Sequence, residues 1–215
     1  ELAWTVIPAF ALAFIIIFGL KYWNEIMSVS DKADKVIVEL YAKQFDWSAR
    51  YAGKDGKLGE TDYRQISGSN SVGMDTADVL GNDDVIVRNE FHIPVGKEIV
   101  FYMRSRDVIH SAYMPHFRAQ MNCVPRMITT FKFVPIKTTM EMRKDPYVIN
   151  MMAGINKQRE KFGEEPVEFD YLLLCNKICG ISHFNMQMNL IVESQADYDA
   201  WIAKQKAFKA VAVKP

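Results

Sequence analysis

Twelve residues near the end of the chain, Cys175-Asn-Lys-Ile-Cys179-Gly-Ile-Ser-His183-Phe-Asn-Met186, place two thiols, an imidazole and a thioether within one loop's reach. Donors this close in sequence converge on one point when the segment folds. Thiolate and thioether select soft, easily reduced metal, and imidazole suits copper in either oxidation state, so the set fits copper. Met186 is the discriminating member, because zinc sites draw on Cys, His and carboxylate and seldom on a thioether. Taken alone, Cys175 and Cys179 fit a redox dithiol or two buried thiols as well as a metal site. His183 and Met186 in register move the reading toward metal. A thiolate pair shared between two metals needs a second nitrogen ligand from elsewhere.

Three other histidines are available. His92, in Phe-His-Ile-Pro, reads as a surface residue approaching a turn. His116 follows Pro115 and reads as cover for the rim of the site. His110, between apolar residues at a strand end, suits a ligand delivered by a neighbouring strand, although a lone histidine there is also compatible with a buried structural role.

The 215 residues suffice for one well-buried domain and a smaller attachment. Lys+Arg and Asp+Glu both number 26, so no global charge points to nucleic acid. Of three cysteines, two belong to the cluster and Cys123 reads as a small buried thiol. Residues 3–22 carry no charge before Lys21, and roughly 20 apolar residues rising 1.5 Å each span about 30 Å, a bilayer core. Trp4, Tyr22 and Trp23 are placed as interfacial anchors. The first unit is therefore a transmembrane helix over 1–24, and its abrupt start is read as the loss of an upstream segment.

From Lys35 the pattern turns β-branched and aromatic, predicting one strand over 36–47. Further strands are predicted near 84–88, 98–103, 127–135, 169–174 and 187–193, with a short apolar piece at 107–113. Two insertions interrupt them, a Gly/Asp/Ser-rich surface excursion at 53–84 and a charged stretch at 144–168 with a short helix near 149–162. Strands without alternating helices argue for an antiparallel sandwich or barrel over 35–193. Ser194-Gln-Ala-Asp197 opens a terminal helix over 194–210.

These residues together resemble subunit II of the haem–copper cytochrome c oxidases. The resemblance rests on Asp107-Val-Ile-His110-Ser111 and on the Cys-x-x-x-Cys-Gly-x-x-His-x-x-Met cluster, supported by the Glu1-to-Pro8 opening and Lys43-Gln-Phe-Asp-Trp47. It implies a mainly β, cupredoxin-like Greek-key barrel or sandwich carried by the second helix of a membrane hairpin. It also implies a dinuclear copper centre of the CuA type. Cys175 and Cys179 would bridge both coppers, and His110 and His183 would cap one each. Met186 and the Lys177 backbone carbonyl would be the weak ligands. The implied function is electron transfer from a cytochrome c to haem in subunit I, where oxygen is reduced to water. Glu1 would be the acid at the mouth of a proton path. The implied location is a bacterial inner membrane with the β-domain on the outer, periplasmic side.

Four departures from the family pattern qualify those expectations. Phe45 stands where the family has the tryptophan of electron entry, and Trp47, two residues on in the same predicted strand, is a substitute on the same face. Lys177 replaces a glutamate that reaches an interface magnesium or manganese ion, and an ammonium has no lone pair to give. Asn122 replaces an acidic residue that attracts basic cytochrome c, and the two insertions are long for the family. The last two point to a tethered or complex-bound cytochrome, as in a quinol-oxidising supercomplex, among other oxidase subunits. Three alternatives compete. A membrane-anchored copper-delivery protein would carry its histidine well after the dithiol, a structural zinc module has no use for Met186, and a quinol oxidase subunit II lacks copper ligands.

Overall fold

The computed structural model describes residues 1–28 and 34–209. An isolated apolar helix, α1 (Leu2–Met27), precedes two five-stranded sheets. The first sheet is built from β1 (Lys35–Lys43), β2 (Asp46–Tyr51), β3 (Val85–Val87), β5 (Glu98–Ser105) and β8 (Thr129–Phe133), in the order β3-β2-β1-β5-β8. The second holds β4 (Glu90–Pro94), β6 (His110–Met114), β7 (Ala119–Cys123), β9 (Tyr171–Cys175) and β10 (Gln187–Glu193), in the order β4-β10-β9-β6-β7. Apolar side chains alternating off both sheets fill the space between them, with Leu40, Trp47, Phe91, Phe101, Leu173 and Leu190 all buried. The rings of Phe91 and Phe101 meet edge to face at 6.4 Å across that core. No residue of α1 is fully buried, and apart from its last turn, which approaches β8, its apolar surface is left exposed among the described residues.

The predicted sandwich is present, but it is not wholly antiparallel. β1 pairs with β5, and β10 with β4, in parallel register. The single strand expected over 36–47 is two, because the chain turns at Gln44 and Phe45 and Lys43 faces Asp46 across the hairpin. β7 carries Gln120 and Asn122 on its exposed positions, and that polar face hid it among loop residues. The helix in the second insertion is longer than expected. α3 (Pro146–Lys161) starts at a proline, with Asp145 accepting from Tyr147 N, and follows α2 (Thr139–Arg143), whose Thr138–Glu141 capping box seals its first turn. The terminal helix α4 (Gln195–Ile202) is shorter than expected, and position 210 lies outside the described residues. It stops early because the chain returns to the first sheet, where Ala207 bridges to Val85 and Phe208 N donates to Asp84 O.

The 53–84 excursion is not merely a surface loop. Arg50, on β2, is buried and pairs with Glu39 at 2.7 Å and with Asp84 at 3.3 Å, and its guanidinium also donates to Gly59 O at 3.0 Å. Arg104, on β5, takes the other oxygen of Glu39 at 3.0 Å. Burial pushes the Asp84 carboxyl up to about 6, against the pull of Arg50 and of the Gly59 and Gly53 N–H groups. Charged residues that read as surface in the sequence thus tie the excursion to the sheet.

Candidate metal centre

β6 begins and β9 ends at the same end of the second sheet, where they lie side by side, and this puts the two halves of the motif together. Ala112 pairs with Cys175, so His110, two residues before Ala112, points to the face that carries the Cys175 thiol. The loop after Cys175 is closed at both ends: Cys175 N donates to Met186 O, and Asn176 N donates to Ser111 O, each at 3.0 Å. A single 3-10 turn, His183–Asn185, brings His183 and Met186 back over the thiols.

The donor atoms fall into two matched sets. The sulfurs of Cys175 and Cys179 lie 3.8 Å apart. Cys175 Sγ faces His110 Nδ1 at 3.7 Å and Lys177 O at 3.3 Å. Cys179 Sγ faces His183 Nδ1 at 3.5 Å and Met186 Sδ at 3.9 Å. Each thiol therefore has one imidazole and one weak donor beside it. His110, Cys175, Cys179 and Met186 are buried and His183 is half-buried at the rim. Burial, reinforced by the hydrogen bond and charge of Cys175, pushes the Cys179 thiol up to about 11. A metal entering at neutral pH must displace that proton.

The surroundings fix the ligands. His110 turns Nδ1 inward because Nε2 lies 2.9 Å from Asp107 Oδ1 and donates to it. The same oxygen accepts from Val108 N at 2.8 Å, and Asp107 Oδ2 accepts from Gln44 N at 2.8 Å. Burial pulls the Asp107 carboxyl up, but these bonds outweigh it and hold it below its ordinary range. Trp47 lies beneath the site, its ring 6.3 Å from that of His110 and its Nε1–H directed at Met186 O.

The remaining sequence candidates fall as follows. Phe45 is half-buried in the β1–β2 turn, whereas Trp47 is fully buried, so the two do not share an exposed strand face. The expected alternation fails because the turn lies between them. Lys177 contributes its carbonyl to the cluster and is exposed; Glu1 is exposed at the head of α1; Asn122 is exposed on β7. His92 is buried rather than superficial: it stacks on Trp201 at 4.1 Å and contacts Glu193 through Nδ1 at 2.8 Å. His116 does not cover the site's rim, for it packs on Phe169 and Tyr171 beyond the opposite end of β6. Cys123 is fully buried opposite His110 across the β6–β7 pair, and burial pushes its thiol up to about 12. Asp107 stands in the motif, but its supporting role had no sequence signal beyond its nearness to His110. Gln44 lies in the Lys43–Trp47 segment, but nothing in the sequence links it to the cluster.

Fold and site define a cupredoxin-like β-sandwich with a thiolate–imidazole–thioether centre at one end. The chain is 37% identical over 191 residues to the alternative cytochrome c oxidase subunit 2 of Bradyrhizobium diazoefficiens, covering 88% of this chain and 57% of that one. It is 28% identical over 134 residues to cytochrome c oxidase subunit 2 of Thermostichus vulcanus, covering 62% of this chain and 31% of the relative. No family model matches. Among solved structures, the periplasmic domain of subunit II of cytochrome oxidase of Bradyrhizobium japonicum superposes with a TM-score of 0.49 at 18% identity, covering 81% of this chain and 95% of that one. The chain belongs to the cytochrome c oxidase subunit II family. It spans about half the length of the Bradyrhizobium diazoefficiens relative, and less of the Thermostichus one.

Proposed function

We propose that this chain is the electron-relay subunit of a membrane haem–copper oxidase, and that its metal is a dinuclear copper centre of the CuA type. The observation that carries the reading is the division of donors into two equivalent halves about a sulfur pair 3.8 Å apart. A single zinc site would leave Met186 and the Lys177 carbonyl without use. A copper pair bound here would supply one-electron transfer with little change of geometry between redox states.

The chain's own residues do the rest. Cys175, Cys179, His110 and His183 would hold the copper pair, with Met186 Sδ and Lys177 O as the weak donors beside the two thiols. Asp107 fixes the His110 tautomer, and the buried sheet end excludes water from the thiols. Phe45, a half-buried ring packed beside Gly180, is the entry surface for electrons, with buried Trp47, beside His110, as the other candidate. The donor is a cytochrome c, tethered or complex-bound, and the acceptor is haem in subunit I, where oxygen is reduced. Exposed Asn122 and Lys177 near the centre offer no acidic attraction to a basic soluble cytochrome. Lys177 leaves no carboxylate for an interface magnesium or manganese ion. α1 crosses the membrane, with the β-domain on its outer face and Glu1 at the inner head of the helix as a proton-path acid.

Stopped-flow mixing of the copper-loaded full chain with a reduced cytochrome c domain tests the relay. Oxidation of the cytochrome in proportion to the copper centre, lost in Cys179→Ser, supports it. Absence of transfer from any cytochrome, with copper instead released to an acceptor protein, would favour a membrane-anchored copper-delivery protein.

A further inference from the structure

Gln44 reaches both halves of the centre from outside it. Its side-chain Nε2–H donates to Cys179 O at 2.6 Å, and its backbone N–H donates to Asp107 Oδ2 at 2.8 Å. Cys179 is the thiol that faces Cys175, His183 and Met186 together, and Asp107 is the carboxylate that holds His110. One residue in the β1–β2 turn therefore spans the loop ligands and the strand ligand, which come from segments 65 residues apart.

The packing around it is equally restrictive. Gly180, at φ +142°, lies so close to this turn that a Cβ would sit 2.8 Å from the Phe45 ring and 2.9 Å from Gln44 Nε2. The backbone after Cys179 is thus pressed onto the turn, and only glycine permits the approach. Gln44 itself is exposed, yet its amide reaches inward to the carbonyl of buried Cys179. An exposed glutamine with two hydrogen bonds into the donor cluster, packed against a glycine whose site has no room for a side chain, is an arrangement for positioning.

We propose that Gln44 is a positioning residue for the metal centre, locking the Cys179–Gly180 peptide and the Asp107–His110 pair into one register. The inference rests on the reading of the cluster as a copper centre. It adds that the surface turn bearing Phe45 is mechanically continuous with the ligands, so that a partner docking on the turn bears on the Cys179 peptide.

The test compares Gln44→Ala and Gln44→Asn with the wild-type full chain in detergent. Both keep the backbone N–H to Asp107; the first removes the side-chain donor and the second withdraws it by one methylene. Circular dichroism should match wild type, since an exposed side chain leaves no cavity. In the metal-free protein, hydrogen exchange at the His183 and Met186 amides, which bond to Gly180 O and His183 O, should quicken about fivefold, the equivalent of one hydrogen bond. Copper affinity should fall about tenfold or more, as for other outer ligand supports, and the copper hyperfine pattern should change. Wild-type exchange, affinity and spectrum in both variants would overturn the proposal while leaving the copper reading intact. A wild-type chain that fails to bind a copper pair would overturn that reading instead, and the exchange rates of the metal-free protein would still report whether Gln44 holds the loop.

Discussion

Replacing Asp107 with Asn changes one atom and should cost the centre most of its preorganisation. Asp107 accepts three N–H groups: His110 Nε2–H at 2.9 Å and Val108 N at 2.8 Å on one oxygen, and Gln44 N at 2.8 Å on the other. Asparagine has a single acceptor oxygen. If it serves His110 and Val108, its NH2 group meets the Gln44 N–H donor to donor; if it turns over, it meets His110 Nε2–H instead. The first orientation orphans one donor and the second orphans two, and even where the bond to His110 survives it loses its charge assistance, which makes such bonds roughly twice as strong as neutral ones. With the carboxylate 29% exposed, water re-solvates part of the loss, so metal-free stability should drop by about 1 kcal/mol. The metal reads the change more strongly, because His110 is fully buried and its Nε2 has no other polar partner among the described contacts. Loss of an outer-sphere carboxylate of this kind lowers metal affinity by about 10–100-fold, or about 1.4–2.7 kcal/mol. Competition titration against a copper chelator measures the affinity, and thermal melting of the metal-free chain measures the stability. A variant whose copper affinity stays within about twofold of wild type would refute the idea that Asp107 orients His110.

Other expectations follow from the same geometry. Arg50→Met leaves Glu39 and Asp84 buried without their shared cation and should cost about 3–5 kcal/mol in denaturant unfolding; a loss under about 1 kcal/mol would show that the network is not what anchors the excursion. The Asp84 carboxyl, raised to about 6, lies above its unfolded value, so the stability it contributes is full below about pH 4 and lost as pH rises through 6. Relative to Asp84→Asn, the wild type should therefore lose stability across that window, and parallel pH profiles would contradict this. Lys177→Ala should leave copper content unchanged, because the group beside Cys175 Sγ is the carbonyl; depletion of copper would implicate the side chain. Copper uptake at pH 7 should release a proton from Cys179, measurable in a pH-stat and missing in Cys179→Ser.

Much of the centre was legible because its ligands obey short-range spacing. The loop from Cys175 to Met186 closes on itself, and β10 occupies the predicted 187–193 without change. His110 stands out in the sequence because a shared thiolate pair would demand a second nitrogen, and the structure places its Nδ1 3.7 Å from Cys175 Sγ. What stayed hidden depends on the chain's reversal at Gln44 and Phe45. No glycine or proline marks that turn, and the apolar pattern runs through it, so the sequence places Trp47 on the face of Phe45 when it lies buried beneath the site. The same turn carries Gln44, whose contacts join residues 63 and 135 positions away and leave no trace in local pattern. Glu39, Arg50 and Asp84 were invisible for a different reason: charged residues read as solvated unless their partners are known, and here the partners come from two strands and an insertion. His92 followed the same logic, since its shelter is Trp201 on a helix more than a hundred residues on.

The central claim is that the two matched donor sets hold a pair of coppers sharing one electron. The full chain, loaded with copper and oxidised, settles it by metal analysis and electron paramagnetic resonance. Two coppers per chain, with one unpaired electron split by two equivalent copper nuclei, is the predicted result. A single copper with a localised spin, or preferential retention of zinc without colour, would contradict it.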